Sequence, residues 1–490
     1  RSYIKRNSFR NNSKSKIYSV ITKQENPTRK GQELELEIES LAYGGLGLAK
    51  LDDFVVFVKG GLPGQTVLGH IYKKKRGYSE AYIVDVLKES PKKIKEKCDH
   101  FFICSKLQNL AYDEQIKQKI NQVNDAFVRL GDINNAKIGN IIKAKKKYYY
   151  RNKMEFSFSS NRWVLESEPE GVDKSFALGL HIPRRFDKIL DIDKCHIQPK
   201  IGNKILEAVK KKCKENTNLK PYNPRTHIGF LRHLMIRYGF NTNQIMVNIV
   251  TAYEDIEKLE PIVKILKNDI PEVTTIINNI NTKKADVSYG EYEILLHGNR
   301  TIEEKMNGLT FDISANSFFQ TNTLQGEKLY DEVKKLCNLK GNEIIYDLYC
   351  GTGTIGLSLS QTAKHVYGFE IIRSSLENAQ INATKNNVKN ITFLKANLDT
   401  YFKSGQLPRE LPKPNIIIVD PPRAGMHKDM VSFIPKMKPD SLIYVSCNPT
   451  TQARDSKILV KSGYHLKNIS VVDMFPHTPH IETVALFNKE

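Results

Sequence analysis

Alternating polar and apolar positions near the N-terminus predict a set of short strands. Glu33–Glu39 alternates residue by residue, as a half-buried strand does, and the apolar run Phe54–Val58 reads as a second strand. Val67–Tyr72 and Ala81–Leu87 read as two more strands, and they flank a basic turn. Short strands separated by glycine and proline turns predict a small OB-like β-barrel.

From about residue 311 the pattern changes to strands that alternate with helices. One amphipathic segment, Ser375–Asn387, predicts a helix between two strand-like runs. Alternation of this kind predicts a doubly wound parallel sheet of the Rossmann-like α/β class. The predicted strands are Ile344–Tyr349, His365–Glu370, Ile391–Leu394, Ile416–Val419 and Leu442–Val445.

The middle of the chain predicts a mixed α/β domain with a helix at Ala111–Leu130. Lys145–Lys153 interleaves cations with tyrosines, and Leu231–Arg237 alternates as a strand with one cationic face. Both segments are candidates for RNA contact, and the alternative is that each is only a solvated face. The predicted organisation is a flexible basic tail at 1–32, the barrel at 33–92, the mixed domain at 93–310 and the Rossmann-like domain at 311–490.

The net charge indicates the kind of binding partner, and the cysteine content indicates the cellular compartment. The chain has 490 residues and a formal net charge of +21, which favours a polyanionic partner such as nucleic acid. No apolar run is long enough to span a bilayer. Seven scattered cysteines argue against a disulfide framework and for a reducing compartment, so we expect a cytoplasmic protein. We also expect a monomer. Residues 1–24 contain no acid, which fits either a transit peptide or a basic arm that touches RNA.

Two polar motifs follow buried strands at their carboxyl ends. Asp420–Gly425 comes directly after Ile416–Val419, and Ser446–Thr451 comes directly after Leu442–Val445. In an open α/β sheet the ligand crevice lies beyond the carboxyl ends of the strands, so an aspartate and a cysteine reach one cleft. Cys447 in that place is a candidate nucleophile rather than a packing residue.

A glycine-rich turn after the first of these strands predicts a nucleotide-like cofactor. Gly351, Gly353 and Gly356 match a GxGxxG pattern, and Glu370 ends the next strand. The pattern fits NAD, and it also fits S-adenosylmethionine, whose ribose diol needs a carboxylate acceptor. A hydride-transfer enzyme has no need for the aspartate and cysteine motifs, so we favour S-adenosylmethionine.

Five motifs in this order resemble those of the RNA uridine-5-methyltransferase family. The version that they resemble carries an N-terminal TRAM domain and is similar to bacterial enzymes of 23S ribosomal RNA. The resemblance implies S-adenosylmethionine-dependent methylation of carbon 5 of a uridine in RNA, with ribosomal RNA favoured over transfer RNA. The motifs are Ser317–Asn322, Asp347–Gly353, Asp420–Gly425, Ser446–Thr451 and His480–Thr483.

The same resemblance implies roles for individual residues. Cys447 would be the nucleophile and Glu482 the general base, while Arg423 would contact the substrate. The cofactor and substrate cleft would be lined by Gln320, Tyr349, Gly351, Gly353, Thr354, Glu370, Asn397 and Asp420. Contacts with RNA are expected from Lys73, Lys74, Arg76 and Arg151.

The chemistry of uracil explains why a cysteine is needed. Carbon 5 is too weak a nucleophile to attack a methyl sulfonium, but a thiolate that adds to carbon 6 activates it. RNA cytosine-5 methyltransferases carry a cysteine where this chain has Arg423, and amino-methyltransferases carry an aromatic residue after the Pro-Pro pair, which is absent here. The rivals that remain are transfer RNA as the substrate, another base, and an RNA-binding or RNA-folding factor whose methyltransferase domain is secondary.

Many members of the family that this chain resembles bind an iron–sulfur cluster with four cysteines, three of which are spaced C-x5-C-G-G-C. Cys98 and Cys104 keep the first spacing and Cys195 matches the remote fourth ligand, but Ser105–Gln108 lacks the Gly-Gly-Cys. Three thiolates fall short of the four that such a cluster usually needs, and His100 is a nearby non-cysteine alternative. We expect no stable four-iron cluster.

Overall fold

The computed structural model describes residues 27–134, 136–285, 287–398 and 411–489. The segment at 1–24, for which a transit peptide and an RNA-binding arm are both open, lies outside these ranges. Strands in the described ranges form three large sheets and one separate hairpin. No helix in the same ranges is long and apolar enough to cross a membrane.

The N-terminal sheet confirms the small barrel. Its strands are β1 (Glu33–Glu37), β2 (Ser40–Leu41), β3 (Gly47–Leu51), β4 (Phe54–Lys59), β5 (Thr66–Lys74) and β6 (Tyr78–Lys88), in the order β1-β5-β6-β4-β3-β2. The amide of Glu39 donates to the Leu48 carbonyl at 2.9 Å, which joins the end of β1 to β3. Residues just before β1 pack on the barrel instead of belonging to a flexible tail, because Thr28 is fully buried and its hydroxyl lies 2.7 Å from that of Ser79.

Two helices and one strand follow the barrel: α1 (Phe101–Cys104), α2 (Tyr112–Arg129) and β7 (Ile138–Ile142). Helix α2 confirms the helix expected at Ala111–Leu130. Its apolar face, which includes the fully buried Val123 and Phe127, packs into the core of the C-terminal domain. Strand β7 also joins the C-terminal sheet. The segment before the central domain is therefore part of the platform beneath the candidate site.

The central domain is an eight-stranded sheet with two helices packed on it. The strand order is β15-β14-β13-β12-β8-β10-β11-β9. Its elements are β8 (Lys153–Ser159), β9 (Arg162–Trp163), β10 (Ala177–His181), β11 (Ile189–Asp191), α3 (Lys200–Glu215), β12 (Leu231–Tyr238), β13 (Ile245–Thr251), α4 (Ile256–Asp269), β14 (Thr275–Ile280) and β15 (Tyr292–His297).

The expected cationic surface on β12 is wrong. Arg232, His233 and Arg237 are buried, with 3%, 2% and 5% of their surface exposed. Arg237 donates to the backbone carbonyls of Ala315, at 3.2 Å, and of Ser317. A buried guanidinium needs hydrogen-bond acceptors, and here these acceptors are carbonyls of neighbouring loops. The cations of β12 therefore hold loops in place from inside the protein and are not an RNA-facing stripe.

The C-terminal domain confirms the doubly wound α/β sheet. The elements are β16 (Thr301–Met306), β17 (Leu309–Ser314), α5 (Thr323–Cys337), β18 (Ile344–Leu348), α6 (Thr354–Ser360), β19 (His365–Glu370), α7 (Arg373–Lys385), β20 (Ile391–Lys395), β21 (Ile416–Val419), α8 (Lys428–Met437), β22 (Ser441–Ser446), α9 (Pro449–Lys461), β23 (Tyr464–Val472) and β24 (Glu482–Lys489). Their sheet has the order β20-β19-β18-β21-β22-β24-β23-β7, and β16 and β17 form the separate hairpin. Strands β18 to β22 are parallel, whereas β24 runs antiparallel between β22 and β23. Apolar clusters cover both faces of the sheet, as a doubly wound fold requires.

Candidate active site

Cys447 and Glu482 lie at the ends of two neighbouring strands of the C-terminal sheet. Strand β22 ends at Ser446, which pairs with Thr483 of β24, and the Thr483 hydroxyl donates to the Ser446 carbonyl at 3.2 Å. Cys447 and Glu482 each lie one residue beyond this last pair, and the charge of Glu482 acts on the Cys447 thiol. A thiol and a carboxyl, 35 positions apart in the chain, thus meet at the carboxyl edge of the parallel sheet.

Burial in the cleft raises the pKa of both groups. Desolvation, followed by the charge of Glu482, raises the pKa of the Cys447 thiol to about 11, and the positive charge of Arg423 opposes this. Desolvation, followed by the charge of Asp420, raises the pKa of Glu482 to about 8. At neutral pH the cleft therefore holds a thiol and a largely protonated carboxyl.

Arg423 is held beside the thiol by two contacts. Its Nη2 lies 3.1 Å from Nδ1 of His480, and its backbone carbonyl accepts a hydrogen bond from Nδ2 of Asn448 at 3.0 Å. Burial, and then the charge of Arg423, lowers the pKa of His480 to about 4, so the neutral imidazole can accept from the guanidinium. The guanidinium lies close enough to the Cys447 thiol to oppose the rise of its pKa.

The turn after β18 has a backbone that favours glycine. Tyr349, Gly351 and Gly353 all have positive φ, of 63°, 54° and 77°. A Cβ on Gly353 would lie 2.8 Å from the Phe393 ring, so both the conformation and the close approach require glycine there. A Cβ on Gly351 would meet nothing within 4 Å, which shows that the other side of the turn is open. The turn therefore leaves room for a ligand at the sheet edge.

Glu370 is fixed by backbone donors at the end of β19. Its Oε2 accepts from the Gly351 amide at 3.0 Å, and its Oε1 accepts from the amides of Ile371 and Ile372 at 2.8 and 2.9 Å. Carboxylate oxygens have further lone pairs, which a ribose diol can use. Ile371 and Ile372 are 51% and 55% exposed beside the carboxylate and offer an apolar surface to an adenine. These two isoleucines were not among the cleft residues expected from the sequence, although their position directly after Glu370 could have indicated them.

Two aspartates make the floor of the cleft acidic. Burial raises the pKa of Asp347 to about 8 and that of Asp420 to about 7. Asp347 accepts a hydrogen bond from the Gly356 amide at 2.9 Å, while Asp420 follows β21. A cation placed here, such as a sulfonium, favours the ionised carboxylates. The glycine turn, the acid on β19 and these aspartates together fit S-adenosylmethionine.

The other residues that were expected from the sequence to line the cleft lie in three separate segments. The Tyr330 hydroxyl lies 2.9 Å from Oγ1 of Thr354, and the Gln320 side chain is a further polar neighbour of that hydroxyl. The Gln320 carbonyl accepts from Nδ2 of Asn152 at 2.9 Å, so the central domain positions that loop. Asn397 is exposed just past the end of β20, at the same edge of the sheet.

An exposed aromatic residue that the sequence analysis did not single out borders the cofactor turn. Phe318 is 66% exposed, two residues before Gln320. The Thr352 hydroxyl, in the glycine turn, donates to the Phe318 carbonyl at 3.4 Å. An exposed ring in such a place can stack on a nucleobase. Its position in the motif Ser317–Asn322 was the available signal.

The four cations expected to touch RNA differ in their surroundings. Lys74 and Arg76 are exposed at the β5–β6 turn of the barrel. Lys73, beside them, pairs with Glu80 at 2.5 Å. Arg151 is partly buried, and its Nε donates to the Lys153 carbonyl at 3.0 Å. Lys74 and Arg76 are thus the best exposed of the four.

In the Lys145–Lys153 segment some cations are exposed to solvent, whereas other side chains are buried. Lys145 and Lys146 are exposed. Tyr150 is buried and donates to the Pro476 carbonyl at 3.0 Å. The buried Asn152 side chain donates to Oγ1 of Thr323 at 2.8 Å. The expected alternation of stacking aromatics with cations therefore holds only for part of the segment.

The residues around Cys98, Cys104 and Cys195 do not fit a four-thiolate cluster. The fully buried Gln108 occupies this region, and its Nε2 donates to Sγ of Cys98 at 3.4 Å and to the Ser105 hydroxyl at 2.9 Å. Among the described residues, no group of three or more His, Cys, Asp or Glu side chains is placed to hold a metal ion. The expectation of no stable cluster stays a prediction.

Comparison with known proteins gives one consistent family. Residues 111–490 match the family model described as tRNA (uracil-5-)-methyltransferase, and residues 27–84 match the TRAM domain. An uncharacterized RNA methyltransferase from Chlorobaculum tepidum is 38% identical over 482 residues, which cover 96% of this chain and 100% of that protein. Another from Porphyromonas gingivalis is 38% identical over 462 residues, which cover 92% and 99%.

A solved structure shares the whole architecture. The crystal structure of Pyrococcus abyssi tRNA (uracil-54, C5)-methyltransferase, in complex with S-adenosyl-L-homocysteine, superimposes with a TM-score of 0.72 at 28% sequence identity. The match covers 93% of this chain and 100% of that chain. The similarity therefore includes the barrel and the central domain as well as the Rossmann-like sheet.

Proposed function

The chain belongs to the tRNA (uracil-5-)-methyltransferase family, whose members are S-adenosylmethionine-dependent RNA methyltransferases, and we propose that it methylates carbon 5 of a uridine through a covalent adduct on Cys447. The observation that carries the proposal is the end of the β22–β24 ladder, where Cys447 and Glu482 each lie one residue beyond the last pair and the charges of Arg423 and Asp420 act on both groups. A thiol beside a carboxyl at the mouth of a cofactor cleft is the pair of groups that this chemistry needs.

Cys447 forms the first bond of the proposed reaction. Its thiolate adds to carbon 6 of the uracil, and the electron pair of the carbon 5–carbon 6 double bond moves to carbon 5 and the carbon-4 oxygen. The positive charge of Arg423 lowers the pKa of the thiol and so favours the thiolate. S-adenosylmethionine would supply the methyl group: carbon 5 would form the new bond to it, and the methyl–sulfur bond would break with its electron pair staying on sulfur, so that S-adenosylhomocysteine leaves.

Glu482 completes the proposed reaction. Its carboxylate removes the proton from carbon 5, the double bond to carbon 6 re-forms, and the thiolate of Cys447 leaves. A raised pKa, of about 8, makes Glu482 a stronger base than an ordinary carboxylate once it is ionised. The uridine has to leave any helical stack to reach the cleft, and the exposed Phe318 can stack on a neighbouring base.

The proposed substrate is ribosomal RNA, with transfer RNA as the second candidate. Support for ribosomal RNA comes from the TRAM-containing enzymes that the motifs resemble. Support for transfer RNA comes from the Pyrococcus structure, whose name gives uracil 54 of a tRNA as its target. For the compartment we propose the cytoplasm, on the sparse cysteines of the sequence.

Trapping with 5-fluorouridine tests this function. Fluorine cannot leave carbon 5 as a proton does, so the methylated adduct should persist when the protein is incubated with S-adenosylmethionine and fluorinated ribosomal or transfer RNA transcripts. We expect a protein–RNA adduct that maps to Cys447, with one of the two RNA classes, and none with Cys447→Ala. No adduct with either class, combined with tight RNA binding, would instead favour an RNA-binding factor, while nucleoside analysis would expose methylation of another base.

A further inference from the structure

Tyr43 of the barrel reaches the candidate active site of the C-terminal domain. Its hydroxyl donates to the backbone carbonyl of Cys447 at 3.3 Å, across 404 positions of the chain. The electrostatic neighbours of this hydroxyl are Cys447, Arg423 and Glu482, the three side chains of the proposed chemistry. Tyr43 is 38% exposed, so it stands at the mouth of the cleft rather than in the core.

The bend that carries Tyr43 is seated firmly on the rest of the protein. Leu41, two residues earlier, packs in a buried apolar cluster with Leu62, Leu107 and Leu110. Its amide donates to Oε1 of Gln118, on α2, at 2.8 Å. These contacts tie the barrel to the helix that packs in the core of the C-terminal domain. The position of Tyr43 is therefore fixed by buried contacts on both sides of the interface.

The same bend touches the second loop of the site. A Cβ on Gly45 would lie 3.1 Å from Cβ of Pro479, which shows how closely the two backbones approach. Pro479 is three residues before Glu482. The bend thus lies against the loop of the nucleophile through Tyr43 and against the loop of the base through Gly45.

The Cys447 peptide stands at a break in the regular hydrogen bonding. The paired part of β22 ends at Ser446, and Asn448 is already the N-cap of α9. The Ser446 hydroxyl spans the residue between them, because it donates to the Asn448 carbonyl and accepts from the Asn448 amide, both at 3.1 Å, while the carbonyl of Cys447 itself accepts from Tyr43. A donor from outside can hold its carbonyl and, with it, the direction of the side chain.

We infer that the TRAM barrel supplies a positioning residue to the active site: Tyr43 holds the Cys447 peptide so that the thiol faces carbon 6 of the uracil. This inference rests on the proposed role of Cys447. The barrel is then part of the catalytic machinery, in addition to being an RNA-binding module. Burial, and then the charge of Cys447, raises the pKa of the Tyr43 hydroxyl, so it remains a donor throughout the working pH range.

The variant Tyr43→Phe tests the inference, because it removes one hydroxyl and keeps the ring. A matched control is Tyr289→Phe, which removes a hydroxyl from a 58% exposed tyrosine of the central domain. Losing one hydrogen bond from the reacting arrangement should lower kcat about 3- to 10-fold. The rate of adduct formation with fluorinated RNA should fall by the same factor, while the KM for RNA, the RNA affinity and the melting temperature stay at the wild-type values.

Each other outcome has a distinct meaning. An unchanged kcat and adduct rate in Tyr43→Phe would overturn the inference, and so would a loss of RNA affinity at unchanged kcat, since Tyr43 would then only bind RNA. A lower melting temperature with a proportional loss of every activity would reduce the contact to interdomain packing. If the wild-type protein itself forms no Cys447 adduct, it is the proposed function that fails, and this result is separate from any difference between the variants.

Discussion

Lys119 and Asp473 form an ion pair in the protein interior, with 2.6 Å between Nζ and Oδ1 and only 2% and 1% of their side chains exposed. Asp473 directly follows β23 and begins the loop that returns to Glu482. The Tyr112 hydroxyl donates to the same carboxylate at 2.7 Å. Helix α2 thereby anchors the loop that delivers the proposed base.

Replacing Lys119 by methionine should destabilise the fold strongly. Removing one partner leaves the charge of Asp473 buried without its counterion, and breaking a buried pair in this way costs about 3–5 kcal/mol. The free energy of unfolding, measured in denaturant, checks this. Lys117→Met on the exposed face of the same helix is the control and should cost about 0.5 kcal/mol or less. Similar losses for the two variants would show that the pair does not anchor the loop.

The variant Glu482→Gln should make the Cys447 thiol more reactive while it abolishes methylation. The charge of Glu482 raises the pKa of the thiol, so its removal lowers that pKa and increases the thiolate fraction. Each unit by which the pKa falls gives about tenfold more thiolate below the pKa. Alkylation of Cys447 by iodoacetamide near pH 8, followed by mass spectrometry, measures the change. Asp429→Asn, at a 63% exposed acid, is the control, and slower alkylation in Glu482→Gln would contradict the electrostatic account.

The preference for S-adenosylmethionine over S-adenosylhomocysteine should increase with pH. Burial raises the pKa of Asp420 to about 7, so this group is neutral below that pH and negative above it. Only the methylated cofactor carries a positive sulfur, and its affinity should therefore rise relative to the product from about pH 6 to about pH 9. Calorimetric Kd values for both ligands give the ratio. In Asp420→Asn the ratio should change less with pH, and an identical pH dependence would exclude Asp420 as the responsible group.

Gly353→Ala should weaken cofactor binding. The residue has a φ of 77°, and a Cβ would lie 2.8 Å from the Phe393 ring, so the turn must shift. Alanine here would impose backbone strain of about 1–3 kcal/mol, which the turn can relieve only by moving away from its binding geometry. We therefore expect the affinity for S-adenosylmethionine to fall about tenfold or more. Gly463→Ala has the same backbone strain at a φ of 88° but no atom within 4 Å, and it should leave cofactor affinity unchanged.

The exposed cations of the barrel should contribute to the salt dependence of RNA binding. Replacing both Lys74 and Arg76 by glutamine removes two charges, and each phosphate contact contributes about 0.7 to the slope of log K against log salt for single-stranded RNA. We therefore expect a slope lower by about 1 to 1.5, measured by fluorescence anisotropy at several salt concentrations. Lys264→Gln, at an exposed cation of α4, is the control. Equal slopes for the wild type, the double variant and the control would show that RNA does not contact Lys74 and Arg76.

The sequence by itself determined the fold class and the family. Alternation with period two predicted the barrel strands, strand–helix alternation predicted the parallel sheet, and polar residues at the ends of apolar runs predicted the edge that carries the cleft. Helix α2 and the strands from Ile344 to Val445 follow within a few residues. These features depend on residues that are close in the chain, so a local pattern contains the information.

Only the tertiary structure decided which distant residues meet. The insertion of β24 between β22 and β23 brings Glu482 to the end of β22, where Cys447 follows, and nothing in the apolar run after Glu482 encodes that strand order. The alternating pattern of β12 could not show that Arg237 is buried, since burial depends on the loops that pack over the strand. Tyr43 reaches Cys447 only because buried leucines seat the barrel on the C-terminal domain. Contacts between domains are fixed by the burial of complementary surfaces, which a single linear pattern does not specify.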